Sequence, residues 1–345
     1  MKKLLLILMI INSSLVFSQQ VAEVKKIEFS KEFNETRERA NQLRDSTIDK
    51  KIENLEAGLK MVKNSYERYR IVFNSLGYFY VLTNQYDKAI DLWSAANKEG
   101  IFLPFQISKD NVWPSYLSNF SDNKRFETFL KTNDSLRLCA VPTSKAEYFV
   151  NLPENYNPQK RYPLIILMHG GCGENFYNYE KWNTEIIRKN FISVFPHGSF
   201  PEGSFAYSYG QSGVNDMKEI YHQVIENYPI DSSMVILGGQ SYGGELAIRL
   251  ACDRIPVHGL FLAFPTIPVD FDRTKALVLK KWNAKIVMLC GDKDFSFQRA
   301  HQMSVTLDSA GVENDFRKYP DLGHDFPADF LEQLGKGMIY LTEKR

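Results

Sequence analysis

The chain has little net charge, few cysteines and no second long apolar run. Its 42 Lys and Arg nearly balance its 41 Asp and Glu, so nothing indicates a nucleic acid or an anionic membrane surface as a partner. After the N-terminal segment, no apolar run reaches the roughly 18 residues that a membrane-spanning helix needs. The 345 residues are 44% hydrophobic, which predicts one large or two smaller globular domains.

Several cofactor motifs are also missing. The sequence has no G-x-x-x-x-G-K-[ST] phosphate loop, no H-E-x-x-H motif and no paired C-x-x-C, so we expect no cofactor and no metal. The four cysteines are Cys139, Cys172, Cys252 and Cys290. They allow three complete disulfide pairings. Free buried thiols are an equal alternative for Cys252 and Cys290, which lie in apolar runs.

The N-terminus has the order of a secretory signal peptide. Two lysines precede an apolar run from Leu4 to Ile11, and Val16 and Ser18 stand three residues and one residue before a plausible cleavage point. We therefore expect residues 1–18 to be a signal peptide and the protein to be secreted or periplasmic. An uncleaved membrane anchor is the alternative, and the short apolar run argues against it. The first cysteine lies far downstream, so we expect no lipid anchor.

Residues 19–140 have a helical pattern rich in Lys, Glu and Asn. Asn84-Gln85 marks a break in this pattern, and Gly100 marks a helix end. Seven apolar or small residues follow the spacing of a tetratricopeptide unit, in which two antiparallel helices pack closely: Phe73, Leu76, Gly77, Tyr80, Ala89, Trp93 and Ala96. The region therefore resembles a tetratricopeptide-like domain, able to contact a protein partner or another part of the chain. A plain helical domain is the alternative.

From residue 141 to 345 the pattern changes. Seven short runs rich in β-branched or aromatic residues alternate with longer helical stretches. Continuous apolar strands separated by helices predict an α/β fold, with a mostly parallel sheet covered by helices on both faces. In such sheets ligands bind beyond the carboxyl ends of the strands, where the candidate residues of this chain lie.

The stretch MVILGGQSYGGELAI places Ser241 where a buried strand becomes a helix. A serine that attacks a carbonyl carbon must expose its hydroxyl, and a sharp strand-turn-helix does this. Gly239 and Gly243 leave space where side chains would collide with neighbouring backbone. Ser241 is the predicted nucleophile; the alternative is a tight turn with an incidental serine.

A base and an acid follow Ser241 in the chain. His324 comes after the last predicted strand, on a glycine-containing loop, and is the candidate general base. Asp292 and Asp294 follow the run KIVMLCG. We favour Asp294 as the residue that orients the imidazole, because it lies further beyond the strand end. Asp292 is the second candidate.

Two backbone N–H groups are needed to bind the oxyanion. Tyr242, directly after the nucleophile, supplies one, and Gly171 in MHGGCGEN is the candidate for the other. We expect His169 in the same loop to support the loop rather than to take part in the chemistry.

Together these motifs resemble the α/β-hydrolase superfamily, within the carboxylesterase-like group that carries H-G-G and G-x-S-x-G. The resemblance covers residues 141–345 and implies an eight-stranded type of sheet with a triad of Ser241, Asp294 and His324, in that family's order. Only a short segment separates FLAFP from KIVML, where many relatives insert a lid. We therefore expect no large lid there and no lipase-type interfacial activation.

The sequence thus predicts a secreted serine hydrolase that cleaves a carboxylic ester through an acyl-enzyme. The substrate is a small-molecule or saccharide ester. Aromatic residues in segments 174–182 and 198–213 could stack on a sugar or a phenolic acyl group, or could pack the loops against the helical region. A serine peptidase of the prolyl-oligopeptidase type is one alternative function. A helical-repeat binding protein with a hydrolase-like scaffold is another.

Overall fold

The computed structural model describes residues 22–23, 25–107, 112–253 and 255–343. The predicted signal peptide, residues 1–18, lies outside the described residues. The strands in this part of the chain are β1 (Ala22–Glu23), β2 (Gln106–Ile107), β3 (Val112–Trp113), β4 (Glu147–Asn151), β5 (Tyr162–Met168), β6 (Ile192–His197), β7 (Phe200–Pro201), β8 (Tyr207–Ser208), β9 (Ile230–Gln240), β10 (Gly259–Ala263), β11 (Lys285–Gly291) and β12 (Asn314–Tyr319).

The α-helices of the described residues are α1 (Lys31–Gln42), α2 (Ile48–Met61), α3 (Ser65–Ile71), α4 (Gly77–Leu82), α5 (Tyr86–Lys98), α6 (Lys124–Ala140), α7 (Asn175–Trp182), α8 (Glu185–Asn190), α9 (Gly213–Asn227), α10 (Tyr242–Cys252), α11 (Arg273–Lys281), α12 (Phe297–Ala310) and α13 (Phe330–Thr342). A π-helical turn (Val72–Leu76) joins α3 to α4, and 3₁₀ turns occupy Ser115–Phe120 and Val141–Thr143.

Eight of the strands form one mixed sheet. Its order is β1-β4-β6-β5-β9-β10-β11-β12. Neighbouring strands run parallel, except that β4 is antiparallel to β6. The predicted mostly parallel α/β sheet is confirmed, and each of the seven predicted runs forms a strand.

The sheet is buried on both faces, as its continuous apolar strands require. Along β5, Leu164 and Ile166 pack with helices α9 to α12 on one face. Ile165 and Leu167 point to the other face, which α7, α8 and α13 cover. This alternation follows from the two-residue period of a strand, and it leaves the strand ends as the accessible edge of the sheet.

The first strand of the sheet precedes the helical region in the chain. Ala22 and Glu23 pair in parallel with Glu147 and Tyr148. Helices α1 to α6 therefore lie, in sequence, between two neighbouring strands of the sheet. The predicted domain boundary at residue 140 remains a prediction, and β1 shows that the sheet also uses residues from before the helices.

The helical region contains the closely packed helix pair that the spacing predicts. Asn84 (φ 57°) forms the turn between α4 and α5, and Gly100 (φ 80°) ends the segment. A Cβ added at Gly77 would lie 2.4 Å from Nε1 of Trp93. Only glycine therefore allows the indole to approach this closely. The assignment as a tetratricopeptide unit remains a prediction.

The helical region contacts the loops at the carboxyl edge of the sheet. The Tyr66 hydroxyl donates to Oε2 of Glu174 (2.8 Å), and Arg70 forms an ion pair with Glu180 (2.9 Å). The Tyr66 ring also lies 5.1 Å from the Phe205 ring. The helices are thus joined to this edge of the sheet by polar and aromatic contacts.

All four cysteines lie in described residues and are free thiols. Cys290 is buried, Cys172 and Cys252 are half-buried, and Cys139 is exposed.

Among the described helices, none combines the length and the apolar composition that crossing a membrane demands.

Candidate active site

Ser241 occupies a strained turn between β9 and α10. Its backbone has φ 52° and ψ −123°, outside the regions that residues other than glycine prefer. A Cβ at Gly239 would lie 2.5 Å from the carbonyl oxygen of Met168, and one at Gly243 would lie 2.3 Å from that of His169. The predicted need for both glycines is confirmed, because β5 leaves no space for a side chain at either position.

His324 lies between Ser241 and Asp294. Its Nε2 is 2.8 Å from Oγ of Ser241, and its Nδ1 is 2.8 Å from Oδ2 of Asp294. The Asp294 side chain is fully buried, and its Oδ1 accepts the backbone N–H of Ser296 (2.7 Å). Both contacts are hydrogen bonds when Nδ1–H donates to the carboxylate and Nε2 accepts a hydrogen bond from the serine hydroxyl. The structure thus brings the three predicted side chains into one hydrogen-bonded chain.

Asp292 lies on the same loop but makes different contacts. Its Oδ1 accepts the backbone N–H of Asp321 (2.8 Å), and its Oδ2 is 3.4 Å from Nζ of Lys318. Asp292 therefore fastens the start of the loop that carries His324, while Asp294 bonds to the imidazole itself.

Two phenylalanines flank the imidazole. The ring centroid of Phe264 lies 4.9 Å from that of His324, and Phe295 lies 4.4 Å away on another side. Phe264 is buried, whereas Phe295 is 75% exposed. The histidine therefore has an apolar wall behind it and an exposed aromatic ring beside it.

The two residues predicted to supply oxyanion donors lie at the start of α10 and in the glycine loop beside Ser241. Tyr242 is the first residue of α10, so its N–H has no partner within the helix. A Cβ added at Gly170 would lie 3.5 Å from Cβ of Ser241, which places the glycine loop beside the serine. The adjacent Gly171 is exposed, with open space on its Cα. The roles of Gly171 and Tyr242 as donors remain predictions.

His169 supports the glycine loop. It is buried, its Nδ1–H donates to the carbonyl oxygen of Gly170 (2.6 Å), and its ring stacks on Tyr209 at 4.5 Å. Burial lowers the pKa of His169 to about 3, so the imidazole stays neutral in the folded protein. This agrees with the expectation that His169 holds the loop in place.

Because the His169 imidazole is buried in its neutral form, we expect the free energy of unfolding to fall in acid. An unfolded histidine binds a proton near pH 6.5, whereas the folded one resists it until about pH 3, so stability falls as the pH drops between these values. Between pH 7 and pH 5 we expect His169 to account for about 2 kcal/mol of lost unfolding free energy. His169→Asn keeps a donor for Gly170 without titrating. Urea unfolding at both pH values should show a smaller loss for the variant. Equal losses would contradict the prediction.

Most aromatic residues of the two segments are buried or half-buried by packing. Phe205 contacts Tyr69 of the helical region at 5.4 Å, and Tyr207 stacks on His197 at 3.8 Å. Tyr177 and Phe200 remain 39% and 38% exposed. Of the two alternatives, the packing role describes most of these side chains, and few are left to stack on a ligand.

Sequence reasoning missed a cavity between the helical region and the glycine loop. It has a volume of about 390 Å³, and its lining includes Tyr69 and Arg70 from α3 with Cys172, Glu174 and Tyr177 from the segment after Gly171. Glu174, three residues after the H-G-G motif, was the available signal. The contribution of α3 had no signal, because sequence does not show which surfaces two regions bring together.

Comparison with known proteins is consistent with this geometry. A family model described as "Putative esterase" matches residues 140–264, which run from the end of α6 to the residue after β10 and include Ser241. The match supports a hydrolase of the esterase type.

Curated relatives match at low identity. The protein named "Probable dipeptidyl-peptidase 5" of Aspergillus clavatus is 23% identical over 223 residues, or 51% of this chain and 30% of that protein. "Dipeptidyl-peptidase 5" of Porphyromonas endodontalis is 22% identical over 264 residues, or 63% of this chain and 36% of that protein. This chain thus spans about a third of the length of these relatives.

A solved structure shares the fold over most of the chain. The crystal structure of an uncharacterized protein from Bacillus cereus covers 92% of this chain and 100% of its own, with a TM-score of 0.51 and 22% identity. At this identity the likeness shows the fold alone.

Proposed function

We propose that this protein is a serine hydrolase of the α/β-hydrolase type that cleaves carboxylic esters through an acyl-enzyme. Ser241 is the nucleophile, His324 the general base, and Asp294 the residue that orients and stabilises the imidazolium. The backbone N–H groups of Tyr242 and Gly171 bind the oxyanion. One observation carries the proposal: Nε2 of His324 lies 2.8 Å from the serine oxygen while Nδ1 lies 2.8 Å from the buried carboxylate.

The reaction follows from these contacts. His324 takes the proton of the Ser241 hydroxyl as the serine oxygen attacks the ester carbonyl, and the carbonyl oxygen becomes an oxyanion. When the tetrahedral intermediate collapses, the bond to the alcohol oxygen breaks and His324 gives that oxygen its proton. Water, activated by the same imidazole, then attacks the acyl-enzyme, releases the carboxylic acid and restores the serine.

Labelling with a fluorescent fluorophosphonate tests the proposal directly. The phosphorus of this probe reacts rapidly with an activated serine, so we expect the folded wild-type protein to bind the label with 1:1 stoichiometry. Peptide mass spectrometry should locate the label on Ser241, and the protein should hydrolyse 4-nitrophenyl acetate until it is labelled. A folded protein that remains unlabelled, or carries the label on another residue, would refute the proposal.

The proposed substrate is an acyl ester of a small molecule or of a saccharide. A serine peptidase is the second candidate, because the curated relatives are named dipeptidyl-peptidase 5. The two candidates share the same acyl-enzyme step and differ in the leaving group. Comparable kcat/KM for an aminoacyl anilide and for its matched ester would favour the peptidase, whereas a large preference for the ester would favour the esterase.

A further inference from the structure

The cavity between α3 and the segment after the glycine loop lies close to the candidate nucleophile. Gly170 is the neighbour of Ser241, and Cys172 and Gly173, two and three residues later, form part of the cavity wall. Because consecutive Cα atoms are about 3.8 Å apart, the wall begins within about 8 Å of Gly170. The wall therefore begins within the length of a small ester bound at Ser241.

The cavity contains a hydroxyl group without a hydrogen-bond partner. Tyr69 is fully buried and lines the cavity, and its Oη has no hydrogen-bond partner. Burial raises the pKa of the Tyr69 hydroxyl well above its ordinary value, so it keeps its proton and remains a donor. An unsatisfied buried hydroxyl costs free energy, and native structures rarely retain one without a reason. A ligand oxygen in the cavity would satisfy it.

The charges around the cavity favour an uncharged ligand. Arg70 and Glu174 both line it and are both largely buried. Just outside, Glu180 pairs with Arg70 (2.9 Å) and with Arg37 (2.8 Å). These four charges balance, and Glu202 adds a negative charge near Cys172. An added carboxylate would therefore face Glu174 and Glu202, and an added ammonium would face Arg70, each with little water to screen it. A hydroxyl group can instead accept from a donor and donate to a carboxylate without adding charge.

The rest of the wall is suited to a ring. Phe73, Pro104 and Tyr177 supply apolar surface, and the volume of about 390 Å³ is enough for a single six-membered ring with substituents. Hydroxylated rings such as sugars and phenols combine an apolar face with hydroxyl edges, and aromatic side chains bind such faces.

We propose that this cavity is the specificity site of the enzyme and binds an uncharged, hydroxyl-bearing ring of the ester substrate. A ring hydroxyl accepts a hydrogen bond from Tyr69 and donates one to Glu174, while Phe73 and Tyr177 contact the ring. This inference rests on the proposed function, because the ring must belong to an ester cleaved at Ser241. The ring is either the alcohol part, as in a sugar ester, or the acyl part, as in a hydroxyaryl ester.

Two pairs of matched esters test the inference and separate these sources. Methyl 6-O-acetylglucoside and tetrahydropyran-2-ylmethyl acetate share the same ring and differ in hydroxyl and methoxy groups on the alcohol side. Methyl 4-hydroxycinnamate and methyl cinnamate differ in one hydroxyl group on the acyl side. For one pair we expect a higher kcat/KM for the hydroxylated ester. Tyr69→Phe should lower the ratio of the two kcat/KM values, hydroxylated over unhydroxylated ester, about tenfold, because one buried hydrogen bond is lost. Tyr78→Phe, an exposed tyrosine outside the cavity, should leave it unchanged.

Stability gives a second readout for the same variant. Because Oη of Tyr69 has no partner in the folded protein, Tyr69→Phe should keep or raise the Tm. A marked fall in Tm would mean that the hydroxyl has a structural partner and would overturn the inference. An unchanged ratio for both ester pairs would overturn it as well. A wild-type protein that neither reacts with the fluorophosphonate nor cleaves 4-nitrophenyl acetate would instead count against the proposed function.

Discussion

Ser241→Ala is expected to lower ester hydrolysis by a factor on the order of 10⁶, since loss of the nucleophile removes the acyl-enzyme route entirely. Alanine keeps the Cβ and the backbone at Ser241, so the strained turn is retained and the protein should fold as the wild type does. Turnover of 4-nitrophenyl acetate, measured with the purified variant and corrected for spontaneous hydrolysis, checks the expectation.

Ser232→Ala is a matched control for this experiment. Ser232 is exposed and lies in β9, the strand that ends at Gln240, but near the opposite end of that strand. Its loss should leave the rate within about twofold of the wild type, because surface substitutions of this kind have small effects. An active Ser241→Ala protein would show that another residue carries the reaction.

The second large effect on activity is expected at Asp294. Asp294→Asn should lower kcat by a factor on the order of 10⁴, because an amide NH₂ facing Nδ1 favours the tautomer in which Nε2 carries the proton. In that tautomer His324 cannot accept the proton of Ser241. The fold should be preserved, since the amide oxygen still accepts the backbone N–H of Ser296. Steady-state kinetics and thermal unfolding together check both parts.

Asp292→Asn provides the comparison within the same loop. Its carboxylate fastens the backbone of Asp321 and pairs with Lys318, and an amide keeps an acceptor for the first contact. We expect a loss of less than about tenfold, in line with the small contribution of a partly exposed ion pair. A larger loss in Asp292→Asn than in Asp294→Asn would reverse the assignment of the two aspartates.

The elements that local pattern specifies could be predicted from the sequence. Strands such as β5 and β11 are apolar runs bounded by turn residues, and they lie where the periodicity places them. The chain order of Ser241, Asp294 and His324, each just after a strand, was enough to predict that the carboxyl edge of a parallel sheet would bring them together. Gly239 and Gly243 on either side of Ser241 indicated the close backbone contacts that this edge requires.

Features that depend on contacts between distant segments could not be predicted. The two residues of β1 carry no strand pattern of their own, and their position is set by pairing with β4. The cavity is lined by α3 and by the segment after Gly171, and nothing in the residues of either segment predicts that it contacts the other. For the loop aromatics, sequence showed the ring at Phe205 but not that Tyr66 and Tyr69 would cover it.

The pairing of β1 with β4 has a consequence for the order of folding. These strands are joined through the entire helical region, and closing so long a loop in an unfolded chain costs entropy that a two-residue strand offsets poorly. Once helices α1 to α6 have packed, the two ends are already near each other and the cost is largely removed. We therefore expect the helical region to fold before the edge of the sheet is completed.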